Sequence, residues 1–172
     1  MTIRLGIVMD PIEKIHFKKD SSLAMLVAAQ KRGWSIKYME LPDLYLKGAQ
    51  ARARTRELNV RMNPDDWFDF GESRDRALGD LDVILMRQDP PVDREFLMAT
   101  YILEAAEQQG ALVVNPASTL RDCNEKLFAT QFDDLTPPLI VTRSGERLRE
   151  FYAEHKDVIM KPVDGMGGSS GQ

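Results

Sequence analysis

The run Lys161-Pro162-Val163-Asp164-Gly165-Met166-Gly167-Gly168-Ser169-Ser170 holds residue types that suit one chemistry, the gripping of a phosphate. Glycines leave backbone N–H groups free to turn inward around an anion, and an ammonium beside them neutralises its charge. Val158-Ile159-Met160 reads as a buried strand that carries Lys161 out at its end, so lysine and loop arrive together. The Gly167-Gly168 pair also suits a plain hairpin turn; Lys161 before it and Ser169-Ser170 after it favour the anion. Two better-known phosphate motifs do not fit. A P-loop needs Lys directly after its last glycine, and here the Lys precedes the loop; a dinucleotide fingerprint needs glycine where Ser170 stands, with a helix following.

Other candidates sit where apolar runs hand over to polar residues next to proline: Asp10-Pro11, Arg87 to Pro91, and Asn115-Pro116. In an open parallel sheet the carboxyl ends of the strands line the ligand crevice, so Asp10, Arg87 and Asn115 are expected along one edge of one cleft. Each has a structural alternative. Arg87 suits a lock on the neighbouring Asp89, and Asp10 suits a turn cap. Lys126, on its own, reads as a solvated helix lysine.

The elements that must position these residues follow from periodicity. Ile3 to Met9 is an apolar run that Asp10-Pro11 ends, and a helix capped by Asp20 or Ser21 runs to Gly33. Trp34 to Met39 alternates as a second strand, and a crossover of that length suits a parallel pair and a doubly wound sheet. Leu81 to Met86 and Ala111 to Val114 are further strands, separated by a helix from Asp93 to about Gln109. Between Leu44 and Val60, a turn at Gly48 precedes Arg52, Arg54 and Arg56 on one face of a strand. That face is either the charged blunting of an edge or a hold on an anionic substrate. Asn63 to Asp80 reads as an irregular excursion with a short helix docking Trp67, Phe68 and Phe70. Thr119 to Thr130 is expected to hold a short helix that includes Asn124, Glu125 and Lys126. Leu139 to Thr142 then reads as a strand, Glu146 to His155 as a helix, and Asp157 to Met160 as the strand into the glycine loop. A boundary near Arg121 divides residues 1–121 from 122–172.

Composition narrows the class. The 172 residues are 43% hydrophobic and 29% charged, a globular composition with 23 basic against 27 acidic side chains. A net charge of −4 argues against a nucleic-acid partner. The single Cys123 precludes an internal disulfide and, with two His, makes a structural zinc site improbable. The first apolar run is too short for a signal-peptide core or a membrane span, so no membrane partner and a reducing cytoplasm are expected.

The order of motifs resembles bacterial glutathione synthetase, a family of the ATP-grasp superfamily. The match is carried by Leu5-Gly6-Ile7-Val8-Met9-Asp10-Pro11, Lys18-Lys19-Asp20-Ser21-Ser22, Asp43-Leu44-Tyr45-Leu46, Asp82-Val83-Ile84-Leu85-Met86-Arg87 and Asp89-Pro90-Pro91. It continues through Ala99-Thr100-Tyr101-Ile102-Leu103-Glu104, Leu120-Arg121-Asp122-Cys123-Asn124-Glu125-Lys126-Leu127 and Lys161 to Gly168. The resemblance implies an α/β fold: a Rossmann-like parallel-sheet domain over 1–121, then the beginning of an ATP-grasp module over 122–172. It implies Lys126 and Lys161 as lysines on ATP phosphates, and Gly165, Gly167, Gly168, Ser169 and Ser170 within the phosphate loop. Asp10 and Arg87 fall in blocks that line the peptide-substrate side.

The implied reaction joins γ-glutamylcysteine to glycine through an acyl phosphate, with ATP and Mg2+ as cofactors and a homo-oligomer as the expected assembly. No catalytic side chain is singled out, since acyl transfer through phosphate needs no protein nucleophile. Family members continue past the glycine loop, and the resemblance puts the adenine pocket and the magnesium ligands there. A metal site within 1–172 is therefore not expected, and the 172-residue chain is expected to be an inactive portion. The alternatives are a non-catalytic binding or oligomerisation fragment, or another ATP-grasp carboxylate–amine ligase.

Overall fold

The computed structural model describes residues 2–163. The chain divides into two compact units, Met1–Arg121 and Asp122–Gln172.

The first unit is built on strands β1 (Arg4–Met9), β2 (Ser35–Met39), β6 (Val83–Arg87) and β7 (Leu112–Val114), all parallel and ordered β2-β1-β6-β7. The unbroken apolar run of β1 after Arg4 follows from burial on both faces, whereas β7 buries Val113 and leaves Leu112 and Val114 exposed. In β1 the two-residue alternation sends Leu5, Ile7 and Met9 to one cluster and Val8 to another. The first cluster packs under helix α1 (Ser21–Lys31) through Leu23, Leu26 and Ala29; the second packs under α2 (Arg94–Gln108) through Phe96, Ala99, Leu103 and Ala106. Asp20 caps α1 by accepting from the Leu23 N–H at 2.7 Å, and Asp93 caps α2 by accepting from the Phe96 N–H at 2.9 Å. Gly33, at φ 73°, lets the chain turn back into β2. A short helix α3 (Ala117–Asp122) follows β7, and Arg121 within it bonds Glu104 of α2 at 2.7 Å.

The parallel core is extended by antiparallel strands β3 (Leu44–Lys47), β4 (Gln50–Val60) and β5 (Phe68–Ala77). This corrects two expectations. β4 is not an edge: residues 50–53 pair with β3, 56–57 with β2, and 52–60 with β5. Arg52 therefore bonds Asp75 and Arg54 bonds Ser73 across the β4–β5 ladder, while Arg56 bonds Glu40. Nor is 63–80 an irregular excursion with a docked helix. Ten of its residues form β5, and Trp67, Phe68 and Phe70 pack beside the α1-side cluster. The charged edge falls on β5, where Glu72, Arg74 and Asp75 are exposed.

In the second unit α4 (Gly145–His155) lies within a residue of its expected span, capped by Ser144. The strands expected over 139–142 and 157–160 are not formed. A strand exists by its ladder, and among the described residues no segment pairs with either run, so Ile159 is 82% exposed. The helix expected through Lys126 is also absent. α3 ends at Asp122, residues 125–127 are a turn, and a 3-10 segment begins at Phe128.

Candidate functional site

The register fixes the crevice of the first unit. Met9 pairs with Arg87 and Leu85 with Val114, so β1, β6 and β7 deliver Asp10, Arg87 and Asn115 to the same edge of the sheet. The Asp10 carboxylate accepts from Gln88 Nε2 at 2.5 Å and from the Asp89 N–H at 2.9 Å. Asp10 thus holds the loop leaving β6 against the end of β1. Asp89 serves that tie through its backbone. The Arg87 guanidinium turns to the start of α1, donating from Nε to Ser22 Oγ at 3.1 Å and from Nη2 to Ser21 Oγ at 2.9 Å.

Beside this edge, Tyr38 of β2 is fully buried, accepts from the Ile12 N–H at 3.2 Å and donates to Glu40 Oε1 at 2.9 Å. Burial first, and the Glu40 carboxylate second, hold its phenol protonated well above the ordinary range. Arg56 Nη2 reaches the same Glu40 oxygen at 2.7 Å, with its guanidinium carbon 4.1 Å from the Phe70 ring centre. Sequence reading missed this network. Its signal was Arg56 on the arginine-bearing face of β4 and an acidic residue, Glu40, just past the end of β2.

In the second unit Lys126 is three-quarters buried and its Nζ donates to Glu125 Oε1 at 3.0 Å. Lys161 is exposed. The turn carrying Lys126 is closed by Asn124, whose Oδ1 accepts from the N–H groups of Lys126 at 2.9 Å and Leu127 at 3.1 Å. Both lysines supply cationic groups of the kind a nucleotide phosphate requires. Gly165, Gly167, Gly168, Ser169 and Ser170 lie outside the described residues. Among the described residues no group of three or more His, Cys, Asp or Glu is placed to hold a metal ion, and no helix is long and apolar enough to cross a membrane.

Comparison with known proteins adds a family to this geometry. The family model of the prokaryotic glutathione synthetase N-terminal domain matches residues 3–121, and that of the same family's ATP-grasp domain matches 125–171. The chain is 60% identical over 168 residues to glutathione synthetase of Yersinia pestis, covering 98% of this chain and 53% of the relative. It is 62% identical over 170 residues to that of Pseudomonas aeruginosa, covering 99% and 54%. The chain thus spans about half the length of the curated relatives it matches. Among solved structures, the ATP-grasp ligase PsnB complexed with minimal precursor superposes with a TM-score of 0.52 at 16% identity, covering 97% of this chain and 56% of that one. That likeness carries the fold alone. Two domain models in the family's order, with identity near 60% across nearly every residue, bear out the resemblance read from the motif blocks: the chain belongs to the prokaryotic glutathione synthetase family.

Proposed function

We propose that this chain is the amino-terminal portion of an ATP-dependent ligase that joins the cysteinyl carboxylate of γ-glutamylcysteine to the amine of glycine. The observation that carries the reading is the tandem match, a substrate-domain model followed by an ATP-grasp model from one family. A carboxylate is a poor acyl donor. Transfer of the γ-phosphoryl group of ATP onto it gives an acyl phosphate and ADP. The glycine amine then attacks the acyl carbon, a tetrahedral intermediate collapses with loss of phosphate, and the amine gives up its proton.

In this reading Arg87 binds a carboxylate of the peptide substrate at the carboxyl edge of the sheet. Asp10 holds the 88–89 loop that borders it, as its two hydrogen bonds indicate. Lys126 and Lys161 bring positive charge to the nucleotide phosphates, with Gly165 to Ser170 as the phosphate loop. Residues 1–121 form the substrate domain and 122–172 the start of the nucleotide module. Magnesium is expected on the phosphates from the resemblance; among the described residues no group of three or more His, Cys, Asp or Glu is placed to hold it. A cytoplasmic setting suits a reaction that consumes ATP and makes a thiol product.

The test uses the full-length protein with ATP, magnesium, γ-glutamylcysteine and glycine, following ADP and glutathione together. Hydroxylamine in place of glycine is expected to trap the acyl phosphate as a hydroxamate. ADP release that does not depend on γ-glutamylcysteine would sink the ligase reading, and glutathione formation without a trappable hydroxamate would sink the acyl phosphate.

A further inference from the structure

Asn124 makes contacts in two directions. Its Oδ1 accepts from the backbone N–H groups of Lys126 and Leu127, at 2.9 and 3.1 Å, and its Nδ2 donates to the carbonyl of Val163 at 3.3 Å, 39 residues further along the chain. The amide orientation is fixed by this pattern, since a flip would set its donor against two donors and its acceptor against an acceptor. One side of the amide therefore sets where Lys126 leaves the backbone. The other side grips the main chain two residues after Lys161, at the entry to the glycine-rich run. Val163 and Lys161 are exposed and belong to no strand, so this bond is a specific restraint on a segment that no ladder holds.

We propose that Asn124 is a positioning residue for nucleotide binding: it ties the Lys126 turn to the Lys161–Val163 segment, so that both cations reach one ligand phosphate in a fixed relation. The inference rests on the proposed ligase reading and adds to it a residue that touches no substrate. Its physical content is preorganisation. Two lysines on separately moving segments must each lose chain freedom when phosphate binds, whereas segments already joined lose less.

The experiment uses the full-length protein and the variants Asn124→Ser, Lys126→Met and their combination. Serine keeps a side-chain oxygen for the turn N–H groups and cannot span to Val163. Asn124→Ser is expected to raise KM for ATP about three- to tenfold, the worth of one bridging hydrogen bond, with KM for γ-glutamylcysteine unchanged. In the Lys126→Met background the same substitution is expected to change KM for ATP less than about twofold, because the cation it positions is gone. An unchanged KM for ATP overturns the inference and leaves the ligase reading standing. So does an equal multiplier in both backgrounds, or a parallel rise in KM for γ-glutamylcysteine, each of which marks a purely structural residue. A wild-type protein that consumes no ATP with γ-glutamylcysteine and glycine overturns both.

Discussion

Arg87 donates to Ser22 Oγ at 3.1 Å, 65 residues away in the chain, tying the last side chain of β6 to the first turn of α1. The arrangement places a guanidinium beside the partly positive end of a helix, a like-signed juxtaposition that costs about 0.3–1 kcal/mol. Ser22 is 4% exposed, so the hydroxyl is held by packing and fixes the arginine in turn. A fixed cation at a positive helix end is well matched to a carboxylate.

For that reason Arg87→Ala in the full-length protein is expected to weaken γ-glutamylcysteine binding about tenfold or more, the usual cost of a lost charge-assisted bond. Ser22→Ala is expected to weaken it less, because the charge remains and only its orientation loosens. Titration calorimetry reads both. Equal heats for wild type and Arg87→Ala would remove Arg87 from the site.

Tyr38→Phe tests the buried network beside the crevice. The substitution leaves the ring packing intact and removes the oxygen that receives the Ile12 N–H at 3.2 Å and donates to Glu40 at 2.9 Å. A buried donor left without its acceptor costs about 1–3 kcal/mol. Urea unfolding is expected to show a lower midpoint with an unchanged slope. A midpoint equal to wild type would mean that water replaces the phenol without loss.

The parallel strands and both helix caps were legible in the sequence because each rests on local chemistry. Val8 and its neighbours are apolar without a break, Asp20 and Asp93 precede helices, and Gly33 and Gly110 follow them. β5 was hidden for a physical reason. After Phe70 its residues run Gly71, Glu72, Ser73, Arg74, Asp75, Arg76 and Ala77, so no apolar stripe continues along either face, and only pairing with β4 makes it a strand. Lys126 was misplaced on a helix because the Asn124 side chain takes the N–H groups that a continuing helix would use. The partners of Arg87 were invisible for want of a spacing rule linking Ser21 and Ser22 to a strand end so distant in sequence.

Close packing predicts a ranking between two glycines. A methyl at Gly79 would lie 2.7 Å from Gln109 Cβ and 2.8 Å from the Gln109 carbonyl oxygen, whereas one at Gly6 would lie 2.7 Å from Leu81 Cδ1 and 3.0 Å from Met39 Cε. At Gly6 the obstacles are the far ends of flexible side chains. At Gly79 backbone must move, at the end of a helix whose Gln109 also bonds the Ala49 carbonyl at 2.7 Å. Gly79→Ala is therefore expected to destabilise by about 1–3 kcal/mol, and Gly6→Ala by less. Thermal unfolding of the two variants side by side decides it, and the opposite order would show that the strand core yields less readily than the helix end.

The last prediction concerns pH. At the amino ends of β1 and β6, Arg4 grips Asp82 through Nη2 to Oδ1 at 2.9 Å, Nε to Oδ2 at 3.2 Å and its backbone N–H to Oδ2 at 2.7 Å. These bonds from the Arg4 side chain first, and its backbone second, pull the Asp82 carboxyl from an ordinary 3.8 down to about 2. Folded Asp82 holds its proton less readily than unfolded Asp82, so its contribution to stability is complete above pH 3.8 and is lost as pH falls through about 2. Asp82→Asn has no carboxyl to titrate. The stability gap between wild type and this variant is therefore expected to be flat from about pH 7 down to about pH 4, and to shrink across the window below it. Urea midpoints of both proteins through that range make the measurement. A gap that stays constant down to about pH 2 would show that the Arg4 pair does not distinguish folded from unfolded Asp82.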